Sequence, residues 1–125
     1  MTTREIVTKY FEYVNNGDWE GWLTLFADNA VVIEPVGAVE GIENLRKVVE
    51  VLKKGYSKFQ NNLINMVVEG NHAVAITHIE AVTASGVPVD AKVANYYTIE
   101  DGKIIHQENF LDPIKLKPFL DQQFD

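Results

Sequence analysis

The sequence predicts an α+β fold in which three helices come first and a long antiparallel sheet follows. Two observations carry this prediction. Apolar residues recur with helical spacing in the first part of the chain, and from Asn62 onward the apolar period changes to two, which is typical of strands. Short turns separate the strands, so we expect antiparallel hairpins. Helices packed on the concave face of a curved sheet then leave a place for a cavity.

Each helix has a recognisable start and end. The first begins at the capping-box spacing of residues 2–5 and ends at residues 16–17, Asn-Gly. Asp18 is the expected N-cap of a second, short helix that carries Trp22. A third helix follows Gly41 and closes near Gly55. The apolar face of the first helix consists of Ile6, Val7, Tyr10, Phe11 and Val14.

Five strands are expected. The first covers residues 30–34 and is stopped by Pro35. The other four cover residues 63–68, 73–83, 87–99 and 103–111. For residues 113–125 the sequence allows either one or two helical turns or a loose chain. It therefore does not place Phe119, Leu120 or Phe124 relative to the pocket.

Composition narrows the classes of partner and chemistry. With 125 residues, of which 46% are hydrophobic, residues 1–125 are expected to form one domain. The absence of cysteine excludes disulfides, thiolate metal sites and cysteine nucleophiles. A net charge of −7 makes nucleic acid and anionic membranes poor partners. There is no apolar run of membrane-spanning length and no signal-peptide core, so a cytoplasmic protein is expected.

Three polar residues lie where the pattern predicts burial. Glu34 ends an apolar strand, and apolar walls disfavour a charged carboxylate and make it a better base. Tyr10 lies on the apolar helix face and needs a hydrogen-bond partner there. Asn95 stands mid-strand, where asparagine is depleted, and shares a face with Tyr97. The alternatives are a solvated strand end, a backbone carbonyl partner for the tyrosine, and an outward amide.

Further polar residues on two strands are candidates for the pocket lining. In one register His78 and Glu80 point into the cavity, as a base and its orienting carboxylate; otherwise they form a structural or interface patch. Alternation in the last strand places Gln107 and Asn109 on one face. The histidines lack the spacing of a metal site, so no metal is expected.

Several motifs together resemble the ketosteroid isomerase branch of the NTF2-like (SnoaL-like) superfamily. They are VTKYFEYVNNGD around Tyr10, LFADNAVVIEPVG, EGIENLRKVV and YYTIEDGKIIHQENFL. The resemblance runs through Leu111 and implies a cone-shaped curved antiparallel sheet (a cystatin-like α+β barrel) whose three N-terminal helices enclose a deep pocket. It also implies a homodimer formed through the sheet, and no cofactor.

The resemblance assigns roles to three positions. Glu34 falls where the family keeps an aspartate general base, Tyr10 where it keeps a tyrosine donor, and Asn95 where it keeps a protonated aspartate. A glutamate reaches farther than an aspartate, and an amide is a weaker acid than a carboxylic acid, so both are departures. The expected secondary pocket residues are Trp22, His78, Glu80, Tyr97, Gln107 and Asn109.

Three functions remain in view from the sequence. The first is a small-molecule-pocket enzyme, an isomerase resembling steroid Δ-isomerase or a polyketide-cyclase-like enzyme, in which Glu34 abstracts a proton next to a carbonyl. The second is a non-catalytic ligand-binding module or dimeric scaffold of the same fold. The third is a hydrolase or lyase in which His78 and a carboxylate activate water. The polar lining expected here favours a small apolar or oxygenated substrate.

Overall fold

The helices and strands follow the predicted order. The computed structural model describes residues 1–122. Its helical elements are α1 (Thr3–Asn15), α2 (Trp19–Leu23), α3 (Ile42–Gly55), a 3-10 turn (Pro113–Leu116) and α4 (Lys117–Leu120). Its strands are β1 (Phe26–Glu34), β2 (Gly37–Glu40), β3 (Tyr56–Glu69), β4 (His72–Thr83), β5 (Pro88–Glu100) and β6 (Lys103–Phe110). Among these residues, no helix is both long and apolar enough to cross a membrane.

The capping box at the start of α1 is present. The Thr2 hydroxyl accepts a bond from the Glu5 N–H at 3.1 Å, and the Glu5 carboxylate accepts one from the Thr2 N–H at 2.9 Å. These two bonds satisfy amide groups that the first helical turn leaves free. The helix therefore begins in a fixed register, and its predicted apolar face, Tyr10 included, is buried.

One six-stranded sheet has the order β2-β1-β6-β5-β4-β3. All neighbouring strands are antiparallel except β1 and β6, which run parallel. The predicted antiparallel hairpins are confirmed, whereas the parallel pairing of β1 with β6 was not predicted. The strand β2 was not predicted, and β1 and β3 begin earlier than expected, at Phe26 and Tyr56. Helix α1 packs on β3 and β4, and α3 packs on β1 and β3.

Buried polar side chains divide the inner face of the curled sheet. One apolar cluster lies beneath the helices, and a second lies on the far ends of β4 and β5. Between them runs a polar belt across four adjacent strands. It consists of Thr77, Asn95, Gln107, Asn109 and Glu34. Burying such groups is unfavourable unless they are hydrogen-bonded, so their partners decide what this part of the interior can do.

The described part of the C-terminal tail is docked rather than loose. Phe119 stacks on Tyr56, with ring centroids 4.7 Å apart and planes 9° apart. The side chain of Gln122 donates to the Gly55 carbonyl at 2.9 Å and accepts from the Ser85 N–H at 3.0 Å. The tail therefore packs against the end of α3. Phe124, whose place the sequence left open, lies outside the described residues.

Candidate functional site

Glu34 ends β1 beside a tight turn into β2. Its backbone pairs with Gly37, so only residues 35–36 connect the two strands. The side chain is largely buried, and this burial raises the pKa of the carboxyl above its ordinary value. The side-chain N–H of Asn109 donates to Glu34 Oε1 at 2.7 Å. This bond lowers the pKa, but by less than burial raises it. Glu34 is thus held by a neutral amide.

A line of hydrogen bonds connects Glu34 to Tyr10. Gln107 Nε2 donates to Asn109 Oδ1 at 2.9 Å and to Tyr10 Oη at 2.9 Å. Gln107 and Asn109 are two residues apart on β6 and therefore share its inner face. We call these two side chains the amide chain. It joins a candidate base and a candidate donor through groups that carry no charge.

Tyr10 lies at the centre of an aromatic cluster. Its ring meets those of Phe11, Trp22, Phe26 and Tyr97 edge-on, at centroid distances from 4.8 to 6.1 Å. Burial raises the pKa of Tyr10 to about 12, and the nearby charge of Glu34 adds to the rise. Tyr10 is therefore a neutral phenol at ordinary pH. A neutral phenol can donate its hydrogen to a ligand oxygen.

Asn95 points inward, as alternation predicts, but it does not join Tyr10. The side chain is 2% exposed, and its Nδ2 donates to the Ala75 carbonyl and to Thr77 Oγ1, both at 3.0 Å. Both amide hydrogens are therefore engaged by β4. Asn95 lies opposite Asn109 in the β5–β6 register, so it belongs to the polar belt without belonging to the amide chain.

Two of the predicted pocket residues retain free hydrogen-bonding groups beside Tyr10. The Trp22 N–H and the Tyr97 hydroxyl are buried and have no hydrogen-bond partner among residues 1–122, and the same holds for Gln107 Oε1. Both aromatic groups affect the pKa of Tyr10, although their polar atoms do not reach hydrogen-bond geometry. Buried polar groups without partners are uncommon and often mark a functional site.

The predicted inward placement of His78 and Glu80 is wrong. Both lie on the outer face, where His78 Nε2 is 2.8 Å from Asp90 Oδ1 and His78 Nδ1 is 3.5 Å from Glu80 Oε1. The inner positions of β4 are the odd-numbered ones, Ala73 to Thr83. All of them except Ile79 are alanine or threonine, whereas the outer positions include Val74, Ile76 and Val82, so hydrophobicity alone did not fix the register. Water activation by His78 and Glu34 therefore has no geometric basis.

Tyr56 is a site residue that the sequence did not indicate. Burial raises its pKa to about 12, and the charge of Glu34 contributes to the rise. Sequence patterns put Tyr56 beyond the end of α3 rather than in a strand. It is the first residue of β3, which begins earlier than expected, and it packs against the second apolar cluster.

Two surface grooves lie away from these residues. One, of about 800 Å³, is lined by the C-terminal tail and Lys54, and the other, of about 250 Å³, lies between the α1–α2 junction and α3. Neither includes Glu34. The candidate site is therefore identified by its buried polar residues and not by the size of a groove. Within residues 1–122, the His, Asp and Glu side chains form no group of three that could hold a metal ion.

A curled, mostly antiparallel sheet with helices over a polar interior defines a class of α+β pocket folds. A family model of the SnoaL-like domain matches residues 7–107, and the chain belongs to that family. This confirms the resemblance to the NTF2-like and SnoaL-like superfamily. No curated protein matches the chain.

Solved structures share this fold at low sequence identity. An NTF2-like protein of unknown function from Burkholderia pseudomallei is 13% identical, with a TM-score of 0.88 over 96% of this chain and 98% of that one. A "putative SnoaL-like polyketide cyclase" from Jannaschia is 23% identical, with a TM-score of 0.81 over 98% and 93%. A Catenulispora acidiphila protein with a ketosteroid isomerase-like fold, bound to trimethylamine, is 15% identical, with a TM-score of 0.78 over 85% and 84%.

Proposed function

We propose that this protein binds a small carbonyl compound and that Glu34 moves a proton on the carbon next to the carbonyl. The observation that supports this most is the burial of the Glu34 carboxyl, which raises its pKa while a neutral amide fixes one of its oxygens. A general base works best when its pKa lies near the working pH. The other oxygen, Oε2, is then the one that accepts the proton.

Tyr10 is the proposed donor to the enolate oxygen that forms when the proton leaves. Its raised pKa keeps it protonated, and its oxygen already accepts from Gln107, so its hydrogen is directed elsewhere. Donors aimed at a developing oxyanion are among the largest contributions to such catalysis. Asn95, the second donor expected from the resemblance, has both hydrogens engaged. Tyr97 and Trp22 are the better second donors, because their buried hydrogens have no partner among the described residues.

Return of the proton to a different carbon would give an isomerase, and attack of the enolate on a second carbonyl would give a cyclase. The Jannaschia relative described as a polyketide cyclase supports the second outcome for this chain as well. The polar belt between two apolar clusters supports a substrate with apolar ends and an oxygenated middle. Both reactions share the same first step at Glu34.

The test is turnover by Glu34→Gln against a panel of β,γ-unsaturated ketones and linear β-polyketones. Removing a general base typically costs about 10²–10⁴-fold in rate, and that loss in kcat/KM is the expected result. Glu108→Gln is the matched control, because it removes a carboxylate of β6 that lies near His106, outside the amide chain. Equal turnover by Glu34→Gln and wild type, or no turnover by wild type on any member of the panel, would reject the proposed reaction.

A ligand-binding module without chemistry is the second candidate. Four aromatic rings pack around Tyr10, and the Tyr10 oxygen is already hydrogen-bonded, an arrangement that also suits passive binding of an apolar molecule. Native mass spectrometry of the purified protein distinguishes the two candidates. A retained ligand that the wild type never converts favours the module.

We also propose a homodimer formed through the outer face of the sheet. Val67, Ile76 and Phe110 on this face are 63%, 37% and 55% exposed. Asn65, Ile76, Ala94 and Phe110 follow one another across four strands, so the apolar residues form part of a continuous band. Contiguous exposed apolar surface often marks an interface.

A further inference from the structure

Gln107 is the side chain that joins Tyr10 to the Asn109–Glu34 pair. It is fully buried, and its Nε2 lies 2.9 Å from both Asn109 Oδ1 and Tyr10 Oη. An amide nitrogen carries two hydrogens and accepts no bond, so both of these bonds run outward from Gln107. The direction of every bond between Glu34 and Tyr10 therefore follows from the orientation of this one amide.

The orientation of the Gln107 amide determines the hydrogen bonding of Glu34 and Tyr10, the groups at the two ends of the amide chain. Because Asn109 accepts through Oδ1, its Nδ2 faces Glu34 and donates to Oε1 at 2.7 Å, which suits an ionised carboxylate. Because Tyr10 accepts through its oxygen, its own hydrogen must point to a different acceptor. The state in which Glu34 can accept a proton is thus the state in which Tyr10 can donate to a ligand.

We propose that Gln107 is a positioning residue that couples the charge of Glu34 to the direction of the Tyr10 O–H bond. The proposal rests on the proposed function only in treating these two groups as base and donor. When Glu34 gains a proton, the two amides turn over. The carboxyl O–H then donates to Asn109 Oδ1, Asn109 Nδ2 donates to Gln107 Oε1, and the Tyr10 O–H donates to Gln107 Oε1.

Reversal exchanges the positions of the two polar atoms of the Gln107 amide. Oε1, which is buried and has no partner among residues 1–122 in the present orientation, would then accept from Tyr10 and Asn109, and Nε2 would take its present place. An ionised Glu34 prevents reversal, because a carboxylate and the Asn109 carbonyl would then face each other as two acceptors. The amide chain therefore has two self-consistent directions, and the proton on Glu34 selects between them.

Among the groups around Glu34, only Glu34 itself changes charge during its titration. The titratable groups whose pKa is raised by its charge are Tyr10 on α1, Tyr56 on β3 and Tyr97 on β5. Burial is the larger cause of each rise, and the pKa reaches about 12 for Tyr10 and Tyr56. All three phenols therefore stay neutral while Glu34 titrates. The neighbour on β6, Asn109, carries no charge.

The test follows tyrosine ¹³Cζ resonances through a pH titration of the full-length protein. In wild type, the Tyr10 resonance should show a step at the midpoint of Glu34, and Glu34→Gln should abolish it. In Gln107→Leu, the Tyr10 step should fall to less than half of its amplitude.

Tyr56 is the internal reference, because it senses Glu34 through space and makes no bond to the amide chain, so its step should persist. Thr77→Val is the control variant, since Thr77 is buried in the belt and bonds Asn95 instead.

Asn109→Leu interrupts the chain at the other link and should reproduce the loss, which keeps the test valid if Gln107→Leu fails to fold. A full-amplitude Tyr10 step in either folded leucine variant would overturn the proposal. So would a wild-type titration in which Tyr56 steps and Tyr10 does not. The readout needs no turnover: a coupled Tyr10 step in a protein that converts none of the ketones would reject the proposed reaction and leave the coupling standing.

Discussion

At the residue scale, the behaviour of Glu34 follows from competition between burial and one hydrogen bond. Burial disfavours the charged carboxylate, and the Asn109 amide favours it, with burial the larger of the two. A carboxylate that made a salt bridge or several backbone bonds would have its pKa lowered instead. With one neutral hydrogen-bond partner, Glu34 keeps a raised pKa and is therefore a stronger base than a carboxylate in a salt bridge.

The raised pKa of Glu34 predicts a pH-dependent effect on stability. The folded state holds this proton more tightly than the unfolded chain, so the contribution of Glu34 to stability is fully present below the unfolded pKa and is lost as pH rises through the folded one. Glu34→Gln has no such loss. We therefore expect the free energy of unfolding of wild type, minus that of Glu34→Gln, to fall as pH rises from below 4.5 through the raised pKa of Glu34. Urea unfolding at a series of pH values measures this difference. A difference that rises with pH would contradict a raised pKa for Glu34.

Sequence reasoning identified the residues of the site better than their partners. Glu34 and Tyr10 were expected to be buried because strand and helix periods mark inner faces, and Gln107 and Asn109 were placed on one face by alternation. The bonds between them depend on the parallel pairing of β1 with β6, which brings Val32 beside Gln107. No local pattern carries that information. The resemblance placed Asn95 where the family keeps a protonated aspartate, but both of its amide hydrogens bond acceptors on β4.

At the scale of elements, the end of α3 is shaped to receive the C-terminal tail. A Cβ atom at Gly55 would clash with Phe119 Cε2, a contact that the stacked ring cannot accept without moving. The neighbouring Tyr56 stacks on the same ring. Glycine at this position is thus explained by close approach.

Gly55→Ala should destabilise the protein by about 1–3 kcal/mol, the usual cost of overpacking. In a Phe119→Ala background the same substitution should cost much less, because the clashing ring is gone. Chemical denaturation of the four proteins in this double-mutant cycle measures the coupling between the two sites. Equal costs in both backgrounds would show that α4 does not dock on Gly55.

The element most misjudged from sequence was β4. Its boundaries were close to those found, but its inner positions are alanine and threonine except for Ile79, while Val74, Ile76 and Val82 face outward. Alternation therefore gave the period correctly and left open which face points inward. Ala73 and Ala75, the inner residues that belong to the cluster beneath the helices, are small, so hydrophobicity alone does not identify the inner face.

At the scale of the whole molecule, the outer face predicts self-association. Ile76→Lys and Phe110→Lys should each shift the protein from dimer to monomer, because a charge would be buried in the band. Val36→Lys is the matched control, since Val36 is 57% exposed but lies in the turn between β1 and β2. Size-exclusion chromatography with light scattering gives the mass. A monomeric wild type would reject the dimer.

The order of elements and the fold class were predictable because helices and strands each have their own apolar period and the four strands β3–β6 follow α3 without an intervening helix. The family match across residues 7–107 agrees with that reading. What the sequence could not supply was the closure of the sheet by β1 against β6 and the short β2 strand, since both depend on contacts between distant residues.

A carboxyl titration shows whether Glu34 is a buried carboxyl with a raised pKa. In protein labelled with ¹³C at glutamate carboxyls and assigned with Glu34→Gln, the Glu34 midpoint should lie above 4.5. Glu5 is an internal contrast, because its bonds to the backbone and side chain of Thr2 lower its pKa. We expect the midpoint of Glu34 to lie well above that of Glu5. A Glu34 midpoint at or below 4.5 would contradict it.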